Sequence, residues 1–501
     1  MNILLVYPKF LETFWNLRYL LEILSKKAAF PPLGLLTVAA MLPESWNKKL
    51  VDMNIHKLAD KDIKWADVVL VGAMATQKDS TEEVLARCKK LGKKVILGGP
   101  ILEIGCDEFP DADHLFLGET EDTIPGFLAD LEAGKEKRIY LPEGFPDVSN
   151  SPVPLWSLIN PNDYISAMIQ YNRGCPYRCK FCSVAKLNGQ KPRPKSPAQF
   201  LKELDAAYNA GFRGPVFIAD DNFIGDKKRA KEMLPHIVMW QQGNGYPFNL
   251  TTEADITLAD DPELMDLMAK AGFRQVFLGM ETPNEESLVE CGKLQNTGRN
   301  LLVCVKIIQS HGLVPMSGFI VGFDSDNPDT FAVQMIDFIQ KSGIVVAMVG
   351  VLQAQPGTSL HEKLLKEGRL LEQASGNNTD CYPNFRTVMP VEKLVQGFRE
   401  IVETIYSPEK HYERICNLLE NYNPSNRPEK RINMSDLKTF VRASLHISLF
   451  GGPKVGYYYW KSLLSVIFSK KRRAFTDVVA SHIYGAHFRE FAASIQESQE
   501  S

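Results

Sequence analysis

The chain has 501 residues, room for roughly three domains at about 150 residues each. Hydrophobic residues at 45% and charged residues at 23% exclude a disordered chain, a collagen-like repeat and a coiled-coil rod. Fifty-seven Lys and Arg against 60 Asp and Glu leave a net charge of −3, which excludes binding nucleic acid by bulk positive charge.

The N-terminus, Met1-Asn2-Ile3-Leu4-Leu5-Val6-Tyr7-Pro8, lacks a basic region and a small-residue cleavage site, and reads as a strand, not a signal peptide. Short apolar strands are expected at 3–7, 50–53, 68–72, 95–97 and 114–117. Helices are expected at 80–91 and 123–131, and another is opened by Pro31-Pro32-Leu33-Gly34, with the prolines in its first turn. The alternation predicts an α/β fold, a parallel doubly wound (flavodoxin- or Rossmann-like) sheet over 1–140. Ligands of such sheets sit at the carboxyl ends of the strands, where the loops here carry Pro8, residues 73–77, Gly98-Gly99-Pro100 and Gly118-Glu119. A linker with five prolines follows at 141–165. A second βα series over 166–390 has six strand-like cores, at 167–171, 216–219, 249–252, 276–278, 316–321 and 347–352. Six units predict a partial (β/α)6 barrel, open on one side. From 391 to 501 the pattern is helical only, with helices at 391–406 and 408–419 and a break at 423–433. No apolar run reaches the roughly 18 residues of a membrane-spanning helix.

Six of the nine cysteines (Cys88, Cys106, Cys291, Cys304, Cys381 and Cys416) are scattered through periodic segments and are expected as buried free thiols in a reducing, intracellular compartment. The other three crowd into Arg173-Gly174-Cys175-Pro176-Tyr177-Arg178-Cys179-Lys180-Phe181-Cys182. Three thiolates at C-x3-C-x2-C spacing can hold three irons of a cubane and leave the fourth without a protein ligand. Zinc is the alternative reading, although a structural zinc wants a fourth Cys or His and none follows at finger spacing.

This stretch resembles the radical S-adenosylmethionine (SAM) superfamily, in which C-x3-C-x2-C holds a [4Fe–4S] cluster at the mouth of a partial βα barrel. The resemblance implies that Cys175, Cys179 and Cys182 are the catalytic metal ligands, with Phe181 the loop aromatic. It also implies that SAM is held by Asp220-Asp221-Asn222 after the second barrel strand, Glu253 after the third, Glu281 after the fourth and Gly318–Gly322 on the fifth. Taken singly, such residues also serve as helix caps or close-packing glycines.

A doubly wound domain ahead of this barrel resembles the cobalamin-binding subclass. That resemblance assigns Pro8, Met74, Gln77, Gly98, Gly99, Gly118 and Glu119 to the corrinoid. His56 lacks the D-x-H-x-x-G context of a cobalt ligand, so cobalamin is expected without a protein histidine, its lower face on residues 73–77. The plain alternatives for this domain are no ligand, or a flavin or nucleotide; no G-x-G-x-x-G follows the first strand.

In the tail, residues 437–489 hold nine basic residues and one acidic residue, Asp477. Lys454 to Lys461 contains Tyr457, Tyr458, Tyr459 and Trp460, and a basic run spans Lys470 to Arg473. Aromatics beside an apolar stretch and a basic cluster suit a membrane interface, and equally suit a helix packed on the barrel with a solvated basic end. With this tail the chain resembles the branch of bacterial hopanoid methylases and chlorin side-chain methylases. The resemblance implies a methyltransferase acting on an unactivated sp3 carbon of a polycyclic lipid or tetrapyrrole side chain. It would use a [4Fe–4S] cluster, SAM and cobalamin, with a ferredoxin or flavodoxin as electron donor. It further implies a small-molecule or lipid substrate, no nucleic acid, and a cytoplasmic location with peripheral membrane contact. The alternatives are carbon–carbon bond or ring formation without methyl transfer, and a non-catalytic cobalamin-based sensor.

Overall fold

The computed structural model describes residues 1–377, 379–428 and 434–497. Its first strand shows why the chain begins as it does: Ile3, Leu4, Leu5 and Val6 are all essentially buried, as a parallel strand covered on both faces requires. Strands β1 (Asn2–Tyr7), β2 (Asn47–Asp52), β3 (Val68–Gly72), β4 (Lys94–Gly98), β5 (His114–Phe116) and β6 (Ile139–Tyr140) form one parallel sheet in the order β2-β1-β3-β4-β5-β6. Helices α1 (Arg18–Leu24), α2 (Leu33–Met41), α3 (Asp60–Trp65), α4 (Lys78–Lys90) and α5 (Thr123–Ala133) connect and cover it. The order reverses at β1 and β3, which opens a crevice at their carboxyl ends. Pro31 and Pro32 lie ahead of α2, Pro32 being its N-cap, so the helix opens two residues later than the sequence suggested. Residues 141–165 carry only three 3₁₀ turns, yet Trp156 and Tyr164 are buried in the neighbouring core.

The second sheet runs β7 (Ala167–Ile169), β10 (Gly214–Ile218), β11 (Phe248–Ala254), β12 (Phe273–Glu281), β13 (Val314–Val321) and β14 (Val346–Val351), each parallel to the last. Between β7 and β10 a short antiparallel ribbon intervenes, β8 (Asn172–Arg173) with β9 (Arg193–Pro194), which the sequence reading missed. Helices α6 (Val184–Leu187), α7 (Pro197–Ala210), α8 (Lys227–Gly243), α9 (Pro262–Lys270), α10 (Glu285–Glu290), α11 (Leu301–Ser310), α12 (Phe331–Ser342) and α13 (Ser359–Lys366) complete the βα units. Six consecutive parallel strands make a partial barrel.

The remaining helices are α14 (Val391–Tyr406), α15 (Pro408–Asn421), α16 (Met434–Phe450), α17 (Pro453–Ile467) and α18 (Phe475–Glu497). The expected break at 423–433 lies partly outside the described residues. Tyr406 ties α14 to β14: its hydroxyl donates to the Ala347 carbonyl at 2.7 Å and accepts the Ala347 N–H at 3.1 Å. Arg414, fully buried, donates to the Gln340 amide oxygen at 2.8 Å and so anchors α15 on α12. No helix among the described residues is long and apolar enough to cross a membrane.

Candidate active site

The ribbon β8–β9 closes the loop that carries Cys175, Cys179 and Cys182, and its fold is set from behind. Asp220 Oδ1 accepts the N–H groups of Tyr171 at 2.8 Å and Asn172 at 2.9 Å. Asp221 Oδ2 accepts the Gly174 N–H at 2.8 Å and the Asn188 side-chain amide at 3.0 Å. Asn222 Nδ2 donates to Asp255 Oδ2 at 2.9 Å. Gly174 takes φ +94°, where a Cβ would stand 2.8 Å from the Lys191 carbonyl oxygen, so only glycine lets the loop close. Asp220 Oδ2 and Asn222 Oδ1 remain buried without a hydrogen-bond partner, and burial pushes the Asp220 carboxyl up to about 8.

All nine cysteines are free; Cys88, Cys291, Cys304 and Cys381 are buried, while Cys106 and Cys416 are half-buried. The three loop cysteines are half-buried too, and burial raises each thiol, Cys182 to about 12. Buried thiols of raised pKa release their protons when a cation binds them. One cation is built in: the Lys293 ammonium favours the thiolate at all three, while its Nζ bonds Glu281 at 2.7 Å. Glu281 holds this position with φ +63°, a strained conformation for a non-glycine residue. A Cβ at Gly279 would come within 2.5 Å of both Glu281 Oε1 and Lys293 Nζ, so glycine there is a condition of the pair. Among the described residues, no three Cys, His, Asp or Glu side chains gather as a single metal ion requires. One zinc, with Zn–S about 2.3 Å, would gather the thiolates on one ion; a cubane takes one thiolate per iron.

Beside this loop, between the carboxyl ends of the two sheets, lies a cavity of about 1130 Å³ with mostly apolar walls, above the roughly 300–1,000 Å³ of ordinary small-molecule sites. One wall is nearly bare backbone, from Gly72, Gly98, Gly99 and Gly118. Gly99 has φ +100°, and a Cβ on it would stand 2.5 Å from the Ala73 carbonyl oxygen. Ala73, Met74 and Thr76 continue this wall. Pro8 and Gln77 brace it from outside: the Gln77 amide donates to the Pro8 carbonyl at 2.5 Å and accepts the Met74 N–H at 2.8 Å. His56 is exposed and does not line the cavity, and among the described residues no histidine does. A bare, concave, apolar wall of this size fits a large flat macrocycle.

The opposite wall comes from Met168, Gln170, Phe217 and Glu253 of the barrel. Burial pushes the Glu253 carboxyl up to about 8, with Asp221 raising it further. Leu187 and Asn188, just past the cysteines, reach the wall; the cysteines, Phe181, Asp220, Asp221, Asn222, Glu281, Gly318 and Gly322 do not. Phe181 packs beside Cys291, Phe323 and Leu360. Gly318 leaves room for the Phe277 ring, and the Gly322 N–H donates to Asp326 Oδ2 at 2.9 Å.

Two sets of site residues escaped the sequence reading. Residues 9–32 form a third wall of the cavity, with the Trp15 ring 5.1 Å from Phe277 and Phe30 5.5 Å from Phe217. Arg173 and Arg193 of the ribbon both clamp Glu119, Arg173 at 2.5 Å, and Arg173 also pairs with Glu121 at 2.8 Å. Glu119 thus joins the glycine wall to the cysteine loop. The aromatic spacing at 10–30 was the available signal for the first; no local pattern announces the second.

Fold and site together define a class: a doubly wound domain joined to a partial barrel whose β8–β9 loop carries three thiols at C-x3-C-x2-C spacing. The fold matches that of the cobalamin-dependent SAM radical enzyme OxsB with a TM-score of 0.63, at 14% identity, over 99% of this chain and 80% of that one. It also matches the radical SAM methyltransferase TsrM of Kitasatospora setae with a TM-score of 0.59, at 13% identity, over 96% and 99% of the two chains. The Radical SAM superfamily model matches residues 169–338, and a domain of unknown function, DUF4070, matches 358–501. The chain is 41% identical to an uncharacterized methyltransferase of Synechocystis over 83% of its length and 78% of the relative's. It is 35% identical to the hopanoid C-2 methylase of Rhodopseudomonas palustris over 82% and 78%. The chain belongs to the radical SAM family, in the group that includes this hopanoid methylase. With that membership come a [4Fe–4S] cluster and SAM as cofactors, a small-molecule substrate and a need for a reductant.

Proposed function

We propose that the protein is a cobalamin-dependent radical SAM methyltransferase that methylates an unactivated sp3 carbon of a polycyclic lipid or a tetrapyrrole side chain. The observation that carries this reading is the single cavity shared by a bare glycine wall and the mouth of the barrel. When bound, the cluster and SAM supply a hydrogen-abstracting radical and the corrinoid supplies a transferable methyl group. The chain's own part is placement. Cys175, Cys179 and Cys182 hold the cluster, and Lys293 and Glu281 set the charge beside it. Glu253, on the barrel wall of the cavity, would contact SAM. Gly98, Gly99, Gly118 and Met74 cradle the macrocycle without a histidine ligand. Trp15, Phe30 and Phe217 keep water from the space between, where an apolar substrate lies. Relatives named for hopanoid and bacteriochlorophyllide methylation support this substrate class. A ferredoxin or flavodoxin as electron donor, and a working position at a membrane face, complete the reading.

The test is transfer of label. Reconstituted, reduced protein given methyl-labelled SAM and a lipid and pigment extract from a gene-deletion strain yields a labelled product one methylene heavier than its precursor. Unlabelled product with release of 5′-deoxyadenosine would instead assign ring or carbon–carbon bond formation. No 5′-deoxyadenosine at all would leave a cobalamin sensor.

A further inference from the structure

The α16–α17 hairpin leaves an apolar surface uncovered. On α16, Leu437, Val441, Leu445 and Leu449 follow one another at four-residue steps and are all exposed, Leu449 at 70%. On α17, Trp460, Leu464, Ile467 and Phe468 repeat the pattern, with Phe468 84% exposed. The Trp460 indole N–H donates to Ser448 Oγ at 3.0 Å across the hairpin, which sets the second stripe beside the first. The tip adds Phe450, 76% exposed. The opposite faces are satisfied: Ala443, Ile447, Val455, Tyr459 and Leu463 pack into the core. Contiguous exposed apolar area of this kind marks an interaction surface.

Charge identifies what it meets. From Leu437 to Thr476 there are eight Lys and Arg and no Asp or Glu, in a chain whose overall charge is −3. Aromatic and leucine stripes on a hairpin this rich in cations suit the headgroup boundary of an anionic bilayer, and among the described residues no helix is long and apolar enough to pass through one. The hairpin is also joined to the cavity. Arg442 donates to Ser25 Oγ at the end of α1, and Leu20 and Ile23 of α1 pack in the same core as the hairpin. Arg18 and Leu21 of that short helix line the cavity.

We propose that the α16–α17 hairpin is a docking surface for an anionic membrane, and that it places the α1 wall of the cavity against the bilayer from which an apolar substrate is drawn. The purpose, though not the surface, rests on the proposed lipid or pigment substrate. The test uses the reconstituted full-length holoenzyme with sedimented vesicles of phosphatidylcholine, alone or with phosphatidylglycerol. Expected is binding to the anionic vesicles at least tenfold tighter than to the neutral ones, weakened by salt. The variant Leu449→Ser/Phe450→Ser/Phe468→Ser and, separately, Lys454→Glu/Lys470→Glu each lose tenfold or more of that binding. Both keep wild-type 5′-deoxyadenosine release in detergent, which shows them folded. Equal binding to both vesicle types, no binding, or a dimer abolished by the serine substitutions overturns the proposal. Vesicle binding without labelled-methyl transfer would defeat the proposed function and leave the surface standing; transfer without vesicle binding does the reverse.

Discussion

At the scale of single residues, the site is a problem of buried charge. Lys293 and Glu281 compensate each other beside three thiols, and the strained backbone at Glu281 and the missing Cβ at Gly279 show what the pairing demands. Among the described residues Glu253 makes no ion pair, and burial with Asp221 nearby pushes its carboxyl from the ordinary 4.5 up to about 8 against the pull of Lys293. The sign of the consequence is fixed. The folded state holds a proton there that the unfolded state gives up, so this group's share of stability declines as pH rises from about 4.5 to about 8, then stays level. Glu253→Gln removes the decline. Its unfolding midpoint in urea, relative to wild type, should therefore rise between pH 5.5 and pH 8.5; a gap that narrows would contradict the burial. The cysteine triad was legible at this scale because three like residues in eight positions have one common use. Lys293 was not, since its meaning lies in what the fold brings to it.

At the scale of elements, most strands were readable within a residue or two, whereas β2 and β12 extend three residues beyond the reading and β6 was not read. The β8–β9 ribbon was invisible because two-residue strands have no period to read. It joins the two halves of the site: Arg173 and Arg193 grip Glu119, and Arg173 also holds Glu121. Both of these carboxylates are nearly inaccessible, so removing their charges strands a buried guanidinium. Glu119→Gln/Glu121→Gln should cost about 3–5 kcal/mol in urea unfolding, and should speed proteolytic cutting within 141–165. A loss under 1 kcal/mol with unchanged cutting would show that the clamp does not couple the domains.

At the scale of the whole molecule, the cavity belongs to no single domain. The sheet gives a bare wall, the barrel gives a charged and aromatic floor, and residues 9–32 close the side. The sequence motifs pointed to two walls separately but not to the segment between β1 and α2, whose aromatics belong to none of those motifs. The account stands or falls on the cluster proposed for the three cysteines. The direct measurement is EPR of the anaerobically reconstituted, reduced protein before and after SAM is added. A [4Fe–4S]⁺ signal that shifts with SAM, and is lost in Cys182→Ser, is the predicted result. No cubane signal, or one equivalent of zinc bound to the thiols in its place, would contradict it.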